Sequence, residues 1–284
     1  MGRERIRFVT DSTADLPPDI VNQWNIGVVP AFVNYGGNSY ADDGVELRRG
    51  DYYAQMAEMP ELPTTAAPSA GIAARVINET FEDADHLFIL TLPAKLSGIY
   101  NAMRLGASEL PPQRVTLIDS GQVSIALGWQ VIVGVEVAEE TGDVQKVKEA
   151  IRRVRAHQGL FATLNTMEYL RRSGRVGWAA ASIGELLQIK PILKVVDGEV
   201  ISIARVRTFG RAIQKLESLT REMAPLDRAA IAHANNLDAA HDLRDRLADI
   251  LPEDTPIMLV NPALGTHTGP GVIGIAPLSK KWRQ

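Results

Sequence analysis

A glycine-rich stretch, Gly265-Thr266-His267-Thr268-Gly269-Pro270-Gly271, sets two hydroxyls on either side of one imidazole. These groups offer several hydrogen-bond donors in one place, which suits an anionic group held without a metal. The apolar runs Pro256–Val260 and Val272–Ala276 bracket it. The spacing therefore predicts a tight loop or bulge between two strands, its glycines permitting positive φ and close approach. The alternative is a β-turn with incidental Thr and His. Gly269-x-Gly271-x-x-Gly274 also matches the dinucleotide fingerprint. That motif needs a helix after it and an acidic residue about 20 positions on. The run that follows is β-like and no such residue stands there, so NAD is not expected.

Other candidates lie at strand ends. Asp11-Ser12-Thr13 closes a first apolar strand, and Asp119-Ser120 closes a later one. Open α/β sheets place ligands at such carboxyl ends, although Ser12 or Thr13 also reads as an N-cap for the helix after Pro17-Pro18. Ser97-Gly98 sits at a strand-to-helix junction, where free N–H groups and the helix dipole favour an anion. In the loop Pro63–Ser69 a Thr is either a ligand hydroxyl or a local cap. Asp11, Ser97, Asp119, Ser120 and His267 contain the groups of a Ser–His–Asp triad, and spacing does not exclude that arrangement. There is no P-loop, no His-Glu-x-x-His and no Gly-x-Ser-x-Gly elbow. Asp42-Asp43-Gly44 reads as a turn rather than a calcium loop. Arg171, Arg172 and Arg175 form a compact basic cluster on a helix end, where cations suit the dipole.

The elements that must position these groups follow from the hydrophobic pattern. Strands are expected at Ile6–Thr10, Gly27–Val33, His86–Leu92 and Val115–Ile118. Helices are expected at about 69–83, 99–110, 122–140 and 143–157. This alternation implies a mostly parallel sheet with helices on its faces. From about residue 159 the pattern changes. A strand over Leu160–Leu164, a helix over Thr166–Ser173 and a hairpin with the turn Asp197-Gly198 come first. Helices at about 209–223 and 237–250 then alternate with strands at 229–233 and 256–260. The fold class is α/β in two domains: an N-terminal mostly parallel α/β sheet domain over 1–158 and a C-terminal α+β domain over 159–284. His86 and His233 read as core residues, His157 and His241 as helix-surface ones.

Composition limits the function. The 284 residues are 45% apolar and 23% charged, as in a globular protein, with a net charge of -4 that gives no general reason to expect nucleic acid. Cysteine is absent, which excludes disulfides, thiol nucleophiles and thiolate metal sites. No apolar run has the length of a membrane span. The opening Met1-Gly2-Arg3-Glu4-Arg5 is charged and carries no signal-peptide or myristoylation pattern, so a cytoplasmic location is expected.

Taken in order, several motifs carry a resemblance. They are Asp11-Ser12-Thr13-Ala14-Asp15-Leu16-Pro17, the Thr65–Ser69 loop, Leu96-Ser97-Gly98-x-Tyr100, Asp119-Ser120, Tyr169-Leu170-Arg171-Arg172-x-Gly174-Arg175, Lys190-Pro191-Ile192 and Gly265–Gly271. Together they resemble the DegV family, whose characterised members are fatty-acid-binding subunits of bacterial fatty acid kinase. The match spans nearly the whole chain. It implies two α/β-type domains with an acyl chain in a tunnel near their junction. By the same resemblance, Thr65, Ser97 with Gly98, and His267 with Thr266 would bind the carboxylate. Arg175, Asp119, Ser120, Asp11 and Ser12 would support it, and Arg171 and Arg172 would face a partner.

The chain departs from the family pattern at Ala66-Ala67, where Ser-Gln is usual, and at Ile99, where Thr is frequent. The implied ligand is a long-chain fatty acid of the palmitate, stearate or oleate class. The implied partner is the kinase catalytic subunit, which would bring ATP and form an acyl phosphate. No cofactor, metal, nucleic acid or catalytic residue of its own is implied, and transient membrane contact is compatible. The physics agrees. A buried carboxylate needs donors to offset its desolvation. A tail of about 16 carbons gains roughly 0.8 kcal/mol per buried CH₂, on the order of 12 kcal/mol gross. A different class, a serine hydrolase or acyltransferase using Ser97 and His267, is the alternative. A regulatory ligand sensor is a third reading.

Overall fold

The computed structural model describes residues 3–56, 58–177 and 189–284. Met1 and Gly2, which open the charged N-terminus, lie outside the described residues. The chain begins with β1 (Ile6–Asp11) and a short helix at Pro18–Gln23, then β2 (Gly27–Val29), β3 (Phe32–Tyr35) and β4 (Asn38–Ala41). A helix at Arg49–Met56 leads to β5 (Thr64–Ala66), a helix at Ala70–Phe81, β6 (His86–Thr91), a helix at Ile99–Gly106 and β7 (Val115–Asp119). The helices Ile125–Thr141 and Val144–His157 follow.

Strands β2, β1, β6 and β7 form a parallel sheet in that order. Its central strand β6 is buried along its whole length, as expected for a parallel strand covered on both faces. Phe8 packs toward Gly134 of the helix Ile125–Thr141, while its neighbour Val9 faces Val76 and Thr80 of the helix Ala70–Phe81. Period-two alternation thus sends consecutive β1 side chains into helices on opposite faces. The helix Ile125–Thr141 buries 12 of its 17 residues, all round rather than on one stripe, because helix and sheet enclose it.

The remaining chain gives β8 (Phe161–Thr163), a helix at Glu168–Ser173, the hairpin β9 (Lys190–Val196) and β10 (Glu199–Val206), and a helix at Phe209–Arg221. Then come β11 (Leu226–Arg228), β12 (Ile231–His233), a helix at Leu237–Arg246, β13 (Ile257–Leu259), a helix at Pro262–Thr268, β14 (Ile273–Ile275) and β15 (Leu278–Ser279). A mixed six-stranded sheet runs β10-β9-β8-β14-β12-β13, and β11 pairs with β15. The architecture is the α/β one expected, a parallel sheet followed by a separate mixed sheet.

The structure corrects three expectations. Gly27–Val33 is not one strand: Pro30, which lacks a ladder donor, separates β2 of the parallel sheet from β3 of a three-stranded antiparallel sheet ordered β4-β3-β5. Part of the loop Pro63–Ser69 is strand, because Thr64, Thr65 and Ala66 pair with Asn34, Val33 and Phe32. Most of the stretch Gly265–Gly271 is helical, as the C-terminal half of Pro262–Thr268. Asn261 accepts a hydrogen bond from Leu264 N–H at 2.9 Å and Pro262 takes the first helical turn, an N-cap and a pre-set φ that start the helix in spite of its glycine.

Candidate functional site

A narrow, mostly aliphatic cavity of about 160 Å³ lies between the parallel sheet and the six-stranded sheet. Leu92, Leu96, Ile99 and Val123 line one side, and Leu160, Ala162, Leu193, Val195, Ala232 and Val272 the other. Polar groups enter the lining from separate elements: Thr65 from β5, Ser97 from the turn after β6, His267 and Thr268 from the helix Pro262–Thr268, and Arg175 just after the helix Glu168–Ser173.

Thr65 and His267, 202 positions apart, are joined by a hydrogen bond of 2.9 Å between Oγ1 and Nε2. Burial, with a smaller contribution from the cation of Arg175, pushes the His267 imidazole down to about 4. It is therefore neutral near pH 7, and one of its nitrogens carries a proton to donate. Ser97 Oγ accepts from Ile99 N–H at 3.3 Å, which holds the hydroxyl at the start of the helix Ile99–Gly106. Arg175 is exposed yet lines the cavity, so it stands where the cavity meets solvent. Its Nη1 donates to Ser173 O at 2.6 Å. A neutral imidazole, two hydroxyls and a guanidinium around one apolar cavity have the chemistry to hold an acidic head beside a hydrocarbon tail.

The other candidates are placed differently. Thr266 points away from the cavity: its Oγ1 meets Tyr52 Oη at 2.7 Å and Pro262 O at 2.8 Å. Gly98 is the N-cap of the helix Ile99–Gly106 and does not line the cavity. Asp11 accepts from Leu92 N–H at 2.8 Å and from Thr13, and burial raises its carboxyl to about 6. Ser12 Oγ accepts from Ala31 N–H at 3.0 Å. Asp119 accepts from Ala94 and Gly121 N–H, both at 3.0 Å, and Ser120 bonds the backbone of Gln122. These four hold the loops behind the cavity wall. Arg172 pairs with Glu168 at 2.9 Å on the exposed side of its helix, and Arg171 is exposed beside it.

The Ser–His–Asp groups do not assemble. The carboxylates of Asp11 and Asp119 are occupied by backbone amides, and no carboxylate among the described residues bonds His267. Among the same residues no cluster of His, Cys, Asp and Glu has the makings of a metal site.

The structure adds residues to which the sequence assigned no part in ligand binding. Thr13, Ser124 and Ser173 join the lining. Behind it, the helix Arg49–Met56 clamps the helix that carries His267. Tyr53 Oη donates to Val260 O at 3.0 Å, and Arg49 meets Asp15 at 2.8 Å. Asp15 in turn accepts from Asn261 N–H at 3.0 Å and Ser124 Oγ at 2.6 Å. Asp42, the residue read as a turn, accepts from Ala263 N–H at 3.0 Å, and burial pushes its carboxyl up to about 7. The sequence signals for this clamp were Asn261-Pro262 and the acidic residues left over from the turns.

Fold and site together define an α/β protein with an apolar cavity between its two larger sheets and polar groups where that cavity meets solvent. The family model described as "Uncharacterised protein, DegV family" matches residues 5–280. A DegV domain-containing protein of Streptomyces coelicolor is 34% identical, the match covering 97% of this chain and 99% of that one. A solved DegV family protein from Thermus thermophilus, described by its fatty acid binding, superposes with a TM-score of 0.89 at 34% identity, over 97% of this chain and 99% of its own. DegV of Bacillus subtilis, described as a fatty acid binding protein, gives 0.87 at 26% identity, over 98% of this chain and 100% of its own. The chain belongs to the DegV family.

Proposed function

We propose that this protein encloses a long-chain fatty acid, of the palmitate, stearate or oleate class, and presents its carboxylate to a partner kinase. The observation that carries the reading is the Thr65–His267 pair at the polar end of an aliphatic cavity. The tail would fill the cavity, and Ser97 and Thr65 would donate to the carboxylate near Arg175, with His267 Nε2–H donating to Thr65 Oγ1 so that the threonine proton is turned to the ligand. A kinase bringing ATP would then let a carboxylate oxygen attack the γ-phosphorus, giving an acyl phosphate and ADP. The chain itself would contribute binding and presentation, with no cofactor and no catalytic residue. The described solved relatives that bind fatty acids support the binding half of this reading.

The division at 158/159 belongs to the same proposal. The strands of the parallel sheet precede it, those of the six-stranded sheet follow it, and the cavity lies between them. A cytoplasmic location is proposed with it. No helix among the described residues is long and apolar enough to cross a membrane, and transient contact with a bilayer would serve loading. The test is direct. Denaturing the purified protein, extracting with organic solvent and analysing by mass spectrometry is expected to release free fatty acid. A stoichiometry near zero, with no uptake of added palmitate or oleate, would sink the proposal.

A further inference from the structure

Side chains of the six-stranded sheet alternate between two environments. Phe161, Ile231, Ile273 and Ile275 join the core under the helices Phe209–Arg221 and Leu237–Arg246. Their neighbours Leu160, Ala162, Ala232, Val272 and Gly274 line the cavity. The register sets Gly274 of β14 directly between Ala162 of β8 and Ala232 of β12. The cavity floor is thus lowest at Gly274, with Leu160 and Val272 standing higher in the adjoining levels.

Gly274 has no backbone reason to be glycine. Its φ is not in the left-handed region, unlike those of Gly269 and Gly271. Nor does crowding require it. An added Cβ would meet Phe161 O at 3.4 Å, Ala162 Cβ at 3.5 Å and Ala232 O at 4.0 Å, which is ordinary contact. A glycine inside a strand weakens it and marks a place where a ligand or another backbone comes close. The side that a larger residue would fill is the cavity. From the sequence alone Gly274 ended a false dinucleotide motif; the sheet gives it a different meaning.

We infer that Gly274 is a specificity-determining residue that keeps the cavity open to the full tail of a long-chain acid. The inference rests on the proposed function and names the part of the ligand this wall selects. Gly274→Val adds a β-branched side chain where the strand accepts it, so the fold is expected to hold or gain stability. The experiment measures binding of palmitate and decanoate to the parent, Gly274→Ala and Gly274→Val, with thermal unfolding of each. For Gly274→Val the palmitate-to-decanoate affinity ratio is expected to fall about a hundredfold, equivalent to roughly three methylenes returned to water. Gly274→Ala should fall between the two, and it carries the test if the valine variant fails to fold. An unchanged ratio in a folded variant would overturn the inference, as would equal loss of both acids. A parent that binds neither acid would instead remove the proposed function, and this inference with it.

Discussion

His267 is a neutral donor because burial outweighs everything else acting on its ring. Its neutrality has a consequence for stability. In the unfolded chain the imidazole takes up a proton below about 6.5, whereas in the folded protein it resists until about 4. Between these values the unfolded state binds more protons, so this residue makes stability fall as pH falls. Asp42, raised to about 7, and Asp11, raised to about 6, act in the opposite sense, since the folded state then holds the extra proton. Comparing the parent with His267→Gln cancels the carboxylates. Over pH 7 to 4 the parent should lose about 3 kcal/mol more than the variant, measured by chemical denaturation at each pH. Parallel profiles would show that the ring is not buried as described.

The hydroxyls make a separate prediction at the same scale. Thr65→Ala and Ser97→Ala should each weaken fatty-acid binding by about 1.5–3 kcal/mol, as for hydrogen bonds to a charged acceptor. A fatty alcohol should bind parent and variants about equally, and a parent without preference for acid over alcohol would misplace the head group.

At the scale of elements, the short helix Pro262–Thr268 could not be stable on its own. It exists because Asn261 caps it, Asp15 and Asp42 bind the amides of Asn261 and Ala263, and the helix Arg49–Met56 lies against it. Gly265 is a point of close approach: a Cβ there would run into the Tyr53 phenol. Gly265→Ala must therefore push the two helices apart, and overpacking of this kind typically costs about 1–3 kcal/mol. Thermal unfolding should show that loss, and binding of palmitate should weaken with it because His267 rides on the displaced helix. Normal stability and normal binding together would mean that the clamp yields without moving the site.

Across the whole molecule, cavity and core are one construction. The main core cluster includes Phe8, Leu90 and Val133 from the first half of the chain together with Leu193, Ala232 and Val272 from the second. Trp129 donates from Nε1 to Ala276 O at 3.0 Å, tying the helix Ile125–Thr141 to the far sheet. The open end carries Arg175, with Arg171 and Arg172 exposed nearby in the chain. Under the proposed function an acidic kinase face would be steered to this side, chiefly through the association rate. Arg171→Glu with Arg172→Glu should leave palmitate binding nearly unchanged and slow acyl phosphate formation by a cognate kinase. The defect should shrink at high salt, where the parent also loses its steering. Parental rates at low salt would leave the two arginines as a solvated helix end, a role the Arg172–Glu168 pair already fills.

The alternation of elements was legible in the sequence, because the length of an apolar run and the residues flanking it are local properties: the short run Leu87–Leu90 has the length of a buried strand, and the longer Ile125–Val135 has room for a buried helix. Also legible there were the ordered motifs that contain Thr65, Ser97 and His267. Which of the neighbouring polar residues face the cavity depended on how the chain folds. Thr266 and His267 are adjacent in sequence, yet helical geometry turns one toward Tyr52 and the other toward Thr65. A loop would have left both free, and the helix was hidden because its cap is completed by Asp15 and Asp42, more than 200 positions away. β5 was hidden for a similar reason: three residues form a strand only when β3 supplies the partner. The meaning of Gly274 likewise came from register, since only pairing across β8, β14 and β12 shows that its missing side chain faces the cavity.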